Sequence, residues 1–161
     1  AGGTRLATFP DVITTLDVLQ HVRVKDVYDP SAPMVSVQAS TPMSDLLRHA
    51  SGSTHGVFPV VGHDGRIAGV VTLETLRAFF FDEDVARVAI AADCVVSLVS
   101  VAPDDTLATA LERFASSHFP ELPVMAPGSD SEILGLLGYE DVLEAYSAEL
   151  MRRRSESERP P

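Results

Sequence analysis

Short apolar runs, each built around one glycine and followed at once by polar residues, occur twice in the chain. The first is Ile67-Ala-Gly-Val-Val-Thr-Leu-Glu-Thr-Leu76 and the second Ile133-Leu-Gly-Leu-Leu-Gly-Tyr-Glu-Asp-Val142. A fully apolar run of this length reads as a buried strand, and the polar residues after it as the entry to a helix. Glycine inside such a strand marks a close approach to the backbone. Thr72 and Thr75 in one copy, and Gly138 and Asp141 in the other, therefore stand at strand-to-helix turns. There, side-chain oxygens and free helix amides can meet a ligand.

The pattern around the first run completes a unit. Val35-Ser36-Val37 alternates as a half-buried strand does. Thr41-Pro42 opens a helix, threonine as N-cap and proline at the first helical position, with Leu46, Leu47 and Ala50 inside and Gly52 as the stop. Phe58-Pro59-Val60-Val61 reads as a second strand, Gly62 to Arg66 as a hairpin loop, and Leu73, Leu76 and Phe80 as a helix face. The order is β-α-β-β-α. Upstream, apolar residues from Val12 and Ile13 to Val27 suit one or two short helices, and Asp29 to Pro33 a turn.

That unit repeats. Val37, Leu47, Pro59 and Val60 match Val101, Leu111, Pro123 and Val124 at an offset of 64, and Gly69 matches Gly135 at 66. The two-residue difference falls in the second hairpin loop, where insertions are tolerated. Asp105 takes the N-cap place of Thr41, with Leu107, Ala110, Leu111 and Phe114 on the helix face. Tyr139, Val142, Leu143, Tyr146 and Leu150 form the inner stripe of a last helix ending at Arg152-Arg153-Arg154, cations at the favourable end of the dipole. The expected division is a leader over 1–23, units over 24–82 and 91–150, a linker over 83–90, and a polar, disordered tail over 151–161.

Composition narrows the function. The net charge of -11, from 23 acidic against 12 basic residues, argues against nucleic acid and against anionic membrane surfaces. Cys94 is the single cysteine, so neither an intrachain disulfide nor a multi-cysteine metal site is possible. No apolar run approaches the roughly 20 residues that span a bilayer, and Ala1 to Pro10 lacks a signal-peptide core. His55, His63 and His118 have no metal-ligand spacing, and Ser97, Ser100, Ser116 and Ser117 lack a nucleophile elbow. The sequence holds no catalytic constellation and reads as a non-enzyme. Asp82-Glu83-Asp84 reads as a solvated linker. Phe79-Phe80-Phe81 cannot all be buried by one helix, so an exposed apolar patch fit for a partner is expected.

Both Pro-Val strands, both glycine strands and the two-fold repeat resemble a tandem pair of CBS domains, the Bateman module, over Val24 to about Leu150. The resemblance implies an α/β (α+β) fold of two units packed sheet to sheet about a pseudo-two-fold axis. It also implies clefts where an adenosine nucleotide (ATP, ADP or AMP) binds, and a homodimer. More narrowly, Val24-Lys-Asp-Val27, His55-Gly-Val-Phe-Pro-Val-Val61 and Asp141-Val-Leu-Glu-Ala-Tyr146 resemble the cytoplasmic C-terminal region of CLC chloride channels and chloride/proton antiporters. A regulatory module on the cytoplasmic side of the membrane, attached to a CLC-type membrane domain, is the function that resemblance implies. The alternative is a ligand-free scaffold or a free-standing CBS protein.

The family's binding motif, Gly-apolar-apolar-Thr/Ser-x-x-Asp, is incomplete in both copies. The first has Thr72 but Thr75 in place of Asp; the second has Asp141 but Gly138 in place of the hydroxyl. By the same resemblance, His55, Gly56 and Val57 in one unit, and Phe119, Pro120 and Glu121 in the other, occupy the positions that hold adenine. Asp141 is expected at the ribose with His55 and Val57 flanking the base, and Glu121 beside the other cleft, where it repels phosphate. Without any ligand, Asp141 stabilises a helix N-terminus and Thr72 caps one.

Overall fold

The computed structural model describes residues 14–32 and 34–158. The leader over 1–10, Val12, Ile13, Pro33 and residues 159–161 lie outside the described residues. Residues 14–21 are helical (α1). The first unit holds β1 (Val37–Gln38), α2 (Met43–Ser51), β2 (Val57–Val61), β3 (Ile67–Thr72) and α3 (Leu73–Arg77), and α4 (Glu83–Val88) follows. The second holds α5 (Leu107–Ser117), β4 (Glu121–Met125), β5 (Ile133–Gly138) and α6 (Tyr139–Ser157).

The repeat is visible residue by residue in the two hairpins. Val57 pairs with Thr72 as Glu121 pairs with Gly138, and the register slips between Val60 and Val61 as it does between Val124 and Met125. The leading strand is shorter than the alternation predicts. In the first unit only Val37–Gln38 pairs, parallel to β2, and in the second it shrinks to one bridge from Val101 to Val124.

Each unit is completed by the segment that introduces the other. Val24 is buried with Val101, Leu107, Phe114, Leu122 and Val142 of the second unit. Ala91 is buried with Met43, Leu46, Phe58 and Leu76 of the first. The exchange explains why both sequence-read N-caps fall one residue early. Val24 N–H donates to the Asp105 carbonyl and Leu107 N–H to the Val22 carbonyl, while Ala91 N–H donates to the Thr41 carbonyl and Met43 N–H to the Ala89 carbonyl. These crossing bonds hold Thr41 and Asp105 outside the helices. Pro42 and Thr106 are the N-caps instead.

On β2, Phe58 and Val60 enter the core of their own unit, while Val57 and Pro59 alternate to the opposite face, also buried. A strand buried on both faces is one sandwiched between layers, and β2 meets β4 of the other unit. The mixed α/β architecture of two like units is the one expected.

Several helix ends differ from the pattern. Helix α3 stops at Arg77, and the next three amides turn back to carbonyls three residues earlier. Phe79 packs on the core, but Phe80 and Phe81 are 53% and 97% exposed, so the apolar patch is present. The acidic 82–84 stretch is solvent-exposed yet forms the start of α4: the Asp82 carboxylate accepts from Val85 N–H at 3.1 Å, and Ala86 is buried. Of the α6 stripe, Val142 alone is fully buried, whereas Tyr139 and Leu143 stand at the surface. The arginines do not end α6. Arg152 pairs with Glu149 and Glu156 along the helix, which carries it through Ser155 to Ser157. Tyr146 Oη meets Thr15 Oγ1 at 2.6 Å and Arg153 pairs with Asp17, so α1 is fastened to α6. Hydrogen bonds from Arg152 and Arg153 hold the Glu149 carboxyl down to about 2.

Candidate functional site

Two adjoining clefts lie where the units meet, built on the two strand-to-helix turns. In each, the first helical amide is anchored on the residue ahead of the unit's own Pro-Val strand. Leu73 N–H donates to the Gly56 carbonyl at 2.9 Å, and Tyr139 N–H to the Pro120 carbonyl at 3.1 Å. Gly56 and Pro120 are themselves in contact, since a Cβ on Gly56 would stand 2.8 Å from Pro120 Cγ. That approach requires glycine and brings the two pre-strand segments together.

The first cleft has a volume of about 750 Å³, within the roughly 300–1,000 Å³ usual for ligand sites. It gathers His55, Gly56, Phe119, Pro120 and Asp141, so the residues read from both units converge on one space. Asp141 is exposed, and its carboxylate accepts from Gly138 N–H at 3.3 Å. The second cleft, about 590 Å³, holds Thr72 and Thr75 with Arg77, and shares Gly56, Phe119 and Pro120 with the first. Thr72 Oγ1 accepts from Thr75 N–H at 3.3 Å and lies 3.2 Å from Thr75 Oγ1. Thr72 therefore caps α3, as its position suggested.

Val57 belongs to neither cleft. Its side chain is wholly buried, because strand alternation turns it into the layer between the units. Its side chain is therefore not offered to a base in either cleft.

Glu121 is also placed differently from the expectation. It lines the Asp141 cleft and crosses to the first unit: Oε1 accepts from Gly56 N–H at 2.7 Å and Oε2 meets His55 Nδ1 at 2.5 Å. An ionised carboxylate only accepts, so His55 Nδ1 is the donor. The pair is largely withdrawn from water, with side-chain exposures of 17% and 14%. A signal for this role existed in the repeat, where Glu121 stands at the position of Val57. A carboxylate where the other copy has a buried valine must find a partner across the layer.

The clefts differ in charge. Glu121, Glu140 and Asp141 line the first, with His55 and His118 as the basic side chains among the described residues that line it. Arg77 faces the second, together with Glu74 and His118. His118 adopts φ 58° at the end of α5, a left-handed turn that histidine tolerates better than most side chains. Among the described residues no group of three or more His, Cys, Asp or Glu side chains is placed to hold a metal ion.

The CBS domain family pattern matches residues 24–82 and 91–148, one match for each unit. The chain belongs to the CBS domain family. It is a tandem CBS pair, and the exchanged segments and twin clefts are features of that pair. No curated protein matches the chain. Among solved structures it is similar to the CBS domain of a bacterial CNNM/CorC family Mg2+ transporter in complex with ATP, with TM-score 0.68, 19% identity, and coverage of 87% of this chain and 97% of that one. CBSX2 in complex with AMP matches with TM-score 0.64, 23% identity, and coverage of 80% and 98%. The CBS domain of a CBS domain containing membrane protein from Sphaerobacter thermophilus matches with TM-score 0.64, 16% identity, and coverage of 87% and 97%. At these identities the likeness is one of fold. No helix among the described residues is long and apolar enough to cross a membrane.

Proposed function

We propose that this CBS pair is a regulatory module that binds an adenosine nucleotide in the cleft between His55 and Asp141. The observation that carries the reading is the convergence of Asp141 from one unit with His55 and Gly56 from the other, beside Phe119 and Pro120. Phe119 offers a flat apolar surface to a base, and Asp141, at the first turn of α6, offers a carboxylate to a ribose diol. Two solved relatives of the same fold contain AMP and ATP. The three carboxylates repel a phosphate chain, so AMP and ADP compete well with ATP here. Calorimetric titration with the three nucleotides is the test. Asp141→Ala removes a charge-assisted hydrogen bond and weakens binding about tenfold or more; unchanged affinity in a folded variant removes this site assignment.

A second reading, a scaffold without ligand, is favoured by Glu121, which already satisfies the donors of His55 and Gly56. Absence of binding by all three nucleotides selects it. In either reading the exposed Phe80 and Phe81 support a homodimer; a purely monomeric 17.2 kDa species in sedimentation at high concentration contradicts that. For the attached partner we retain a CLC-type chloride channel or antiporter, with the module on its cytoplasmic side, on the phrases Val24 to Val27, His55 to Val61 and Asp141 to Tyr146. The parent gene should then encode apolar spans of about 20 residues and support chloride flux. Magnesium flux without chloride flux would overturn the chloride assignment.

A further inference from the structure

We propose that Glu121 is a built-in competitor for the nucleotide cleft, a carboxylate that occupies the base-facing donors and must be displaced before a ligand can use them. The inference rests on the nucleotide reading above and goes further by naming the residue that sets the affinity. Gly56 N–H and His55 Nδ1–H are two donors that the first unit presents to this cleft beside the hydroxyls of Ser53 and Thr54, and one carboxylate bridges both, at 2.7 and 2.5 Å. Bidentate acceptance by a charged group is among the stronger hydrogen-bonding arrangements, and its shielding from water strengthens it further.

The geometry is that of a bound ligand. Glu121 begins β4 directly opposite Gly138, so its side chain starts beside the α6 turn that carries Asp141 and ends on the other unit. The pseudo-equivalent position in the first unit is Val57, which is fully buried and reaches into no cleft. The second cleft accordingly has no such plug, and Pro120, the counterpart of Gly56, has no N–H for one to occupy. The contact is thus specific to one of the two sites. It also joins the units, so a ligand that displaces Glu121 exchanges a tie between units for a tie through itself. Binding and the inter-unit bond are coupled with opposite sign.

The test uses the whole chain with adenosine and AMP as probes, read by calorimetry, beside thermal melting without ligand. Glu121→Ala is expected to lower the ligand-free melting temperature and to raise affinity for both probes about tenfold, the equivalent of one charge-assisted hydrogen bond no longer competing. Glu121→Gln, which keeps the size and loses the charge, should give a smaller gain in the same direction and serves if the alanine variant does not fold. Wild-type binding that is unchanged or weakened in a folded variant overturns the competitor role and leaves the nucleotide site standing. Binding by a variant but not by wild type supports the inference in its strongest form. No binding by any of the three proteins overturns the nucleotide reading, and this inference with it.

Discussion

The two strand-to-helix turns share a backbone and differ in how they are finished. At Thr72 the turn is closed by its own hydroxyl, which caps α3 through Thr75 N–H. At Gly138 there is no side chain to close it, and the exposed Asp141 carboxylate reaches back to Gly138 N–H at the same 3.3 Å. One turn keeps its closing bond partly buried; the other holds its polar group in solvent, at the mouth of a cleft. Val60 and Val124, which pack in the two cores, are identical, while Ala50 and Phe114 exchange a small side chain for a large one and stay buried. Core positions stay apolar whatever their size, whereas those facing the clefts change in polarity and charge, so the repeat preserves a scaffold while its two sites acquire separate chemistries.

The largest effect is expected where the glycine strands are crossed. A Cβ on Gly69 would stand 2.4 Å from the Val96 carbonyl oxygen, a backbone atom fixed in a bridge with Val70. On Gly135 it would meet the Tyr28 ring at 3.0 Å and the Asp29 carbonyl at 3.3 Å. A ring yields by tenths of an ångström more readily than a bridged backbone. Gly69→Ala is expected to destabilise by about 3 kcal/mol or more and Gly135→Ala by about 1 kcal/mol, in the range of overpacking. Urea denaturation of both variants checks this, and equal losses would show that the two crossings are energetically alike.

Much of this architecture was legible because it depends on apolar period and on punctuation. The strands, hairpin loops and repeat could be read from Ile67 to Leu76 and its second copy, and the paired registers agree with the 64 and 66 offsets. What local reading missed depends on distant chain. Thr41 and Asp105 look like N-caps until Ala91 and Val24 cross over and bind their carbonyls. At the site, the resemblance puts Asp141 with His55 and Gly56, and Phe119 and Pro120 at the other cleft; Asp141 and His55 do line one cleft, while Gly56, Phe119 and Pro120 line both. Val57 was misplaced because strand alternation outranks its nearness in sequence to His55. The reach of Glu121 required knowing which unit its side chain faces.

Thr72→Ala tests the closed turn next. Loss of the cap on α3 should cost about 1 kcal/mol, seen as a lower urea midpoint with an unchanged slope. The matching change at the open turn, Asp141→Ala, should cost less stability, since its hydrogen bond is exposed where that of Thr72 is partly buried. A reversed order would mean that Asp141 is fixed by its helix rather than available to a ligand.

The smallest effect on stability, and the one that most directly sharpens the contrast, is expected from giving the open turn the hydroxyl it lacks. Gly138 has ordinary extended backbone angles, φ -81° and ψ 145°, which serine adopts without strain. Its new Cβ would approach Asp141 Oδ2 at 2.8 Å, the free end of a flexible side chain, so the carboxylate can turn aside. Serine at an N-cap exceeds glycine by only a few tenths of a kcal/mol, so the melting temperature should rise by about 1 °C. Binding should respond more, because Gly138→Ser completes Gly135-Leu-Leu-Ser-Tyr-Glu-Asp141 and adds a neutral hydrogen bond to a ribose oxygen, about 0.5–1.5 kcal/mol. Calorimetry with AMP should show affinity rising by a few fold up to about tenfold. A variant that melts as expected yet binds AMP no better would show that the ligand does not touch this turn.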